Sequence, residues 1–404
     1  MTTTINNEHK KLNVPNLRFP EFQGEWEEHK LEDITAEIGD GIHATPIYDD
    51  NGTFYFVNGN NISEYGITIT ATTQKVTEEE ALRNNASALN SYSILLSING
   101  TVGNVALYKN ESIMLGKSAC YINVSSNINR NYIFYYLMMP KCQFYFTSEL
   151  TGTTIKNLSL KSIRKTKVLL PNANEQSKIA RLFDAINERI ATQNKIIEDL
   201  KKLKCAIIEK HYRQAKLHKY KICDLGVPFS VGSLSKEDLS EEGHECILYG
   251  ELFTTYDCVI NEVKSHTNKI ANTTLSQKGD LLFPSSTTVD AVSLISPSVI
   301  DTPNVILGGD MFGIHIDKKF NAYYLSYYIN LIARKKLAIY AKGSTIIHLH
   351  YKDIAKAQLL LPDLCEQDKI AKCMMAEDAK IKVEEQLLTK LEKQKQYLLR
   401  QMFI

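Results

Sequence analysis

One stretch of this chain occurs twice. Residues 152–180 read GTTIKNLSLKSIRKTKVLLPNANEQSKIA and residues 343–371 read GSTIIHLHYKDIAKAQLLLPDLCEQDKIA, ungapped, with 15 of 29 positions identical. The same offset of 191 sets Leu31 and Asp33 of HKLEDI on Ile222 and Asp224 of YKICDL, and NYIFYY (131–136) over AYYLSY (322–327). With a small gap, SYSILLS (91–97) falls on QKGDLLF (277–283). A period this long exceeds any solenoid repeat, so the chain carries two copies of a whole domain plus helix. Its 404 residues leave room for that at the usual 100–200 residues per domain.

Each copy mixes strands and helices. In the first, FYFVN (54–58), SILLS (93–97), NVALY (104–108) and CYINV (120–124) are short apolar runs bounded by Gly, Asn and Ser, as strands are. A Tyr/Phe/Leu-rich helical stretch over 131–146 is interrupted by Pro140. The second copy offers ILYG (247–250), DLLF (280–283), MFGIHI (311–316) and a helix around 321–338.

Each copy closes with Leu-Leu-Pro and a long helix. After Pro171, the residues Ile179, Phe183, Ile186, Ile190, Ile197, Leu200 and Ile207 follow alternating steps of four and three, broken only by Gln193 and Lys204. That is a heptad seam over 174–212. After Pro362 the seam is Ile370, Met374, Ile381, Leu388, Leu391, Leu398 and Met402 over 365–403, weakened by Glu377, Glu384 and Lys395. Two helices of matched length predict a pair.

Composition excludes several classes. Apolar residues make up 44% and charged residues 23%, a globular balance. No run approaches the ~18 apolar residues of a membrane span, and the opening MTTTINNEHKKLN lacks a signal-peptide core, so a soluble cytoplasmic protein is expected. Eight scattered cysteines without zinc spacing read as reduced thiols. The net charge of +1 hides a compact block: residues 151–220 hold 16 Lys and Arg against 6 Asp and Glu. Such a block suits a polyanion, or a solvated lysine-rich helix face.

Catalytic motifs are missing. LGKSA (115–119) contains Gly-Lys-Ser, but a phosphate loop needs glycine where Glu111 stands. NGTVGN (99–104) lacks dinucleotide-loop spacing, and there is no amino-methylation tetrapeptide, G-x-S-x-G or H-E-x-x-H. His348 and His350 have metal-like spacing, yet their counterparts are Asn157 and Ser159, so side chains reading something different in each half fit better. The 21 tyrosines cluster in the 131–146 and 321–340 helices and belong mostly to the core. The most informative segments are 151–167 and 342–356, each a Gly/Ser/Thr loop followed by basic residues. Their hydroxyls and amides suit phosphates and their divergent side chains suit base edges, although a turn before the last strand has the same composition.

Together these features resemble the specificity subunit of type I restriction–modification systems. The residues that carry the likeness are LRFPEFQGEWEEHKLEDI (17–34), DGIHATPIY (40–48), YFVNGNNI (55–62), ILLSINGTVGNVALY (94–108) and the twice-used LP-x3-EQ-x-KIA (170–180 and 361–371). The second copy departs: FPSSTTVDAV (283–292) lacks the glycines of NGTVGN, and SVGSLSKEDLSEEGHE (230–245) has no DGIHATP-like loop.

The resemblance implies a duplicated α/β (α+β) fold. Two target-recognition domains, 17–170 and 218–361, are joined by conserved helices, 171–217 and 362–404, forming an antiparallel coiled coil with pseudo-twofold symmetry; residues 1–16 are a flexible extension. Each domain reads half of a bipartite, asymmetric duplex target, and the helices set the unread spacer. It further implies two modification subunits that supply S-adenosylmethionine chemistry, restriction subunits that use ATP and Mg, and no catalysis, cofactor or metal in this chain.

The candidate DNA contacts in the first copy are His43, Thr45, Lys117, Ser118, Thr151, Thr153, Thr154, Lys156, Lys161, Arg164, Lys165 and Lys167. In the second they are Lys342, Ser344, Thr345, His348, His350 and Lys352. Two other readings stay open at this point, a coiled-coil scaffold without DNA contacts and a DNA methyltransferase with its own chemistry.

Overall fold

The computed structural model describes residues 13–154 and 156–404. Most of the expected N-terminal extension therefore lies outside the described residues; at its end, the Asn13 carbonyl accepts the Trp26 backbone N–H at 2.8 Å. The chain divides into two units, residues 1–194 with 386–404, and residues 195–385. Both boundaries fall inside long helices, Ala173–Gln214 and Leu364–Gln401.

In the first unit, Glu27–Lys30 pairs antiparallel with Lys167–Leu170 and brings the start of the domain back to its end. A four-stranded antiparallel sheet runs in the order Thr35–Asp40, Ala119–Val124, Ser93–Ser97, Val105–Leu107. Its two middle strands are buried along their whole length, which is why SILLS and CYINV read as unbroken runs without polar alternation. A second sheet sets Phe54–Val57 between Lys75–Val76 and a parallel partner, Ile113–Leu115. The helices Arg130–Met138 and Pro140–Ser148 pack Tyr132, Phe134, Tyr135 and Phe146 into the main core. Pro140 occupies the first position of the second of these, where its missing N–H has no helical partner to lose.

The second unit repeats the plan. His218–Lys221 pairs with Gln358–Leu361, and each residue pair stands 191 beyond its counterpart in the first unit. His244–Leu248 pairs parallel with Ile306–Gly308, as Phe54–Val57 does with Ile113–Leu115. Two five-stranded sheets and a separate two-stranded ribbon, Ser286–Thr287 with Ile347–His348, complete this unit.

Two expectations need correction here. The strand expected at 247–250 ends at Leu248, because Glu251 Oε2 takes the Leu248 N–H at 2.7 Å and the chain turns into Glu251–Thr254. The helix expected over 321–338 is not uniform: Ala322–Tyr328 passes through a π-turn stretch, Ile329–Ala333, before Arg334–Leu337. Asn330 explains the irregularity, since its amide donates to Ser326 O at 3.0 Å and to Pro297 O at 2.7 Å.

The long helices carry most of their seams where the heptads place them, but near one end of each helix the seam slips by one residue: Ile208 and Leu399 fill the cores, and the expected Ile207 and Leu398 are half-buried beside them. In the first unit, Ile179 and Phe183 share a core with Leu399, Met402 and Phe403, with Ile186 and Leu398 at its edge; Ile190 and Leu391 are buried. The opening turns of one helix thus lie against the end of the other, and the Phe183 and Phe403 rings are 5.6 Å apart. In the second unit, Ile370 and Met374 join a core that Ile207 borders, and Ile197, Leu200 and Ile381 are buried. There Lys204 pairs with Asp378 and Lys201 with Glu385, the latter at 2.7 Å, an antiparallel order. Leu388 is half-buried.

The repeated LP-x3-EQ motif has a physical reason. Gln176 donates to Pro171 O at 2.8 Å and accepts the Asn129 N–H at 3.1 Å. Gln367 makes the same two bonds, to Pro362 O at 2.8 Å and from Asn321 at 3.0 Å. Each glutamine thus ties the start of its long helix to the residue that caps a tyrosine-rich helix. Glu175 is fully buried and accepts two bonds from Arg18 at 2.7 Å, which fastens the LRFPEF segment to the first helix.

Candidate nucleic-acid interface

Four segments of the first unit gather around Gly116-Lys117-Ser118. The Gly41 N–H donates to Ala119 O at 2.9 Å and the Ile42 N–H to Leu115 O at 3.0 Å. A Cβ on Gly41 would stand 2.2 Å from Gly116 O, so only glycine permits this approach. Ser118 Oγ accepts the Gly59 N–H and donates to Asn58 Oδ1, both at 2.8 Å. Ser118 O accepts the Ile98 N–H at 2.9 Å, and Leu158 N donates to Ile98 O at 2.9 Å. Asn99 bridges Asn157, which in turn exchanges hydrogen bonds with Thr151. The segments 40–48, 58–62, 98–104, 115–119, 151–154 and 156–158 therefore form one surface.

On that surface His43, Thr45, Lys117, Thr151, Thr153, Thr154 and Lys156 are exposed. His43 Nε2 lies 2.9 Å from Asp40. Lys161 and Lys165 are exposed on and just after the short helix Leu160–Arg164. Three other candidates use their polar groups within the domain. Ser118 is engaged as above, Arg164 donates to Ile38 O at 2.8 Å, and Lys167 pairs with Glu28 at 2.7 Å. Among the described residues Lys117, Lys156, Lys161 and Lys165 make no ion pair, which leaves four ammonium groups for an external anion.

The second unit builds the same scaffold from different side chains. Gly232 bridges Gly308 in parallel, as Ile42 bridges Gly116. Leu349 N donates to Ser285 O at 2.8 Å, the counterpart of Leu158 to Ile98. Ser286 pairs with His348 where Asn99 meets Asn157, and Lys342 exchanges backbone bonds with His348 where Thr151 does with Asn157. Ser344, Thr345, His348, His350 and Lys352 are exposed, and the two imidazoles stack with centroids 6.1 Å apart. Lys342 holds Asp353 at 2.6 Å, which depresses the carboxyl's pKa through that hydrogen bond. Among the described residues no group of three or more His, Cys, Asp or Glu is placed to hold a metal ion.

Sequence reasoning passed over Asn99 and Ser286. Only an offset of 187 aligns them, against the 191 of the ungapped repeat at 152–180 and 343–371.

Residues 23–202 and 216–393 each match the model of the type I restriction modification DNA specificity domain. The chain belongs to that family. It is a type I DNA specificity subunit with two tandem specificity domains and two long helices. A protein of Methanocaldococcus jannaschii named as the specificity subunit of the type I restriction enzyme MjaX is 22% identical over 417 residues, covering 97% of this chain and 96% of that one. The crystal structure of a type I restriction–modification S subunit from M. genitalium superposes with a TM-score of 0.59 at 16% identity, covering 97% of this chain and 99% of that one. A structure described for complex assembly and conformational transition of a type I system gives 0.56 at 14% identity, over 94% and 97%. These two solved structures share its fold.

Proposed function

We propose that this specificity subunit reads a bipartite, asymmetric duplex sequence, one half-site per recognition domain, and performs no chemistry itself. One observation carries the reading. A single backbone scaffold occurs in both units, with Asn99 and Asn157 at its centre in one and Ser286 and His348 in the other. A shared frame with different side chains is what two readers of different sequences require. Lys117, Lys156, Lys161 and Lys165 serve as phosphate contacts beside the first reader; Lys342, Ser344, Thr345, His350 and Lys352 flank the second.

In this reading the functional domains are 17–170 and 218–361, and the helices of 171–217 and 362–404 set the spacer between half-sites. Two modification subunits dock on the chain and bring S-adenosylmethionine; restriction subunits bring ATP and Mg. The complex works in the cytoplasm, and among the described residues no helix is long and apolar enough to cross a membrane.

The test is methylome sequencing of cells that express the modification subunits with and without this chain. The expected result is a chain-dependent motif in two parts separated by unread bases. A single contiguous motif would refute the two-reader arrangement. Binding of S-adenosylmethionine by the isolated chain would favour an intrinsic methyltransferase, and failure to bind duplex at low salt would favour a scaffold.

A further inference from the structure

Two apolar side chains stand exposed beside the ribbon Ser286–Thr287 with Ile347–His348. Val289 is 72% exposed and Ile346 is 50% exposed. Both line one open groove of about 940 Å³, together with Tyr249, Thr287 and His348.

Neither residue sits on a loose loop. The Val289 N–H donates to Thr287 Oγ1 at 3.2 Å, and the next residue, Asp290, accepts both the Ser293 N–H and its hydroxyl at 2.8 Å. Ile346 closes the turn that begins at Gly343, whose φ is +126°. A Cβ there would meet Ile346 O at 2.0 Å, so the turn is tight and requires glycine. Both residues are β-branched and stiff about χ1. Rigid apolar side chains held out in solvent lose little entropy when a ligand covers them.

The surroundings fit duplex DNA. A two-stranded ribbon enters a major groove, and the group there that seeks apolar contact is the thymine C5-methyl. His348 also lines the adjoining groove with His350 and Lys352, side chains suited to phosphates, and with Lys342, whose ammonium is paired with Asp353 of the same groove. Asp310 lines both grooves; a carboxylate there repels phosphate and suits a base amino group.

We infer that Val289 and Ile346 read thymine methyl groups in the half-site of the second recognition domain. This rests on the DNA-reading function proposed above and names the chemistry of one reader.

The probe is a random-sequence duplex pool from which the full chain selects its target. Each thymine of the selected duplex is then replaced singly by deoxyuridine, which removes only the methyl. At one or two thymines of a single half-site, the loss should weaken binding about fourfold, the effect of one buried methyl-sized group. In the double variant Val289→Ala, Ile346→Ala the same replacements should have no effect. Both side chains are exposed, so the variant keeps its fold, which circular dichroism checks. Uracil tolerated at every position, or sensitivity that persists in the variant, overturns the inference while DNA reading stands. A chain that selects no duplex at all overturns the underlying function as well.

Discussion

Gln176 receives the backbone N–H of Asn129 at 3.1 Å, and this bond, with Asn129 Nδ2 donating to Ser177 Oγ at 3.4 Å, joins the first long helix to the cap of the tyrosine-rich helix in its recognition domain. Gln176 is 3% exposed, and its own amide is committed to Pro171 O. Gln176→Ala therefore leaves the buried Pro171 carbonyl and the half-buried Asn129 N–H without their partner. The expected cost is about 2–3 kcal/mol, read as a lowered midpoint in thermal or denaturant unfolding. Gln367→Ala, which breaks the twin bond to Asn321, should cost a similar amount. A destabilisation below about 0.5 kcal/mol in both would mean that the motif does not anchor the helices.

The lysines of the first domain fall into two classes. Lys156, Lys161 and Lys165 have no partner ion among the described residues, whereas Lys167 is paired with Glu28. Replacing the first three with Ala should weaken duplex binding at every sequence. It should also flatten log K against log[salt] by about 0.9 for each phosphate no longer neutralised. Lys167→Ala should change that slope much less. Equal slopes for the wild-type chain and the triple variant would assign this basic block to solvent or to a partner protein.

Lys395 breaks the apolar seam of the second helix yet is 3% exposed, and its ammonium pairs with Glu64 of the first recognition domain. Taking away only the acid leaves a buried cation. Glu64→Ala should thus destabilise by about 2–3 kcal/mol, while Lys395→Met with Glu64→Ala should recover most of that stability. The comparison is a double-mutant cycle in thermal unfolding. Additive effects would show that the two charges do not depend on each other.

The large divisions of this molecule were legible because backbone geometry repeats with sequence. The 191-residue offset predicts the partner of every residue in the closing strands, and proline followed by heptads marks both long helices. Side-chain roles were less legible, since they depend on neighbours brought together across the fold. Nothing local reveals that Ser118 bonds Gly59 and Asn58, or that Arg164 reaches Ile38 O. Val289 lies in a loop without periodicity, where a pattern of apolar residues has nothing to say. Lys395 has the look of a defect in the seam because its acid, Glu64, is more than 300 residues away in the chain.

Two readers on separate domains should be exchangeable. Grafting a foreign first domain in place of residues 17–170, with the junction at Pro171, should change one half of the methylated motif and keep the other. The junction preserves the Gln176 bond to Pro171 O, so the graft needs an Asn129 equivalent to seat properly. Methylome sequencing reads both halves at once. A graft that alters both would show that the domains do not read independently.

If helix length sets the spacer, both helices must be lengthened together. One heptad added to each extends the rod by about 10.5 Å and keeps the seam in phase. Duplex DNA rises about 3.4 Å per base pair, so the spacer can grow by at most about three pairs, fewer if the rod crosses the duplex obliquely. Length also brings rotation: at about 10–10.5 pairs per turn, three pairs turn the second half-site by about 100°. The double-heptad variant should therefore methylate a motif with a longer spacer at reduced activity. Four residues inserted in one helix alone leave the seam unmatched and should abolish methylation. An active double-heptad variant that still reads both half-sites across the original spacer would mean that the distance is fixed by something other than the helices.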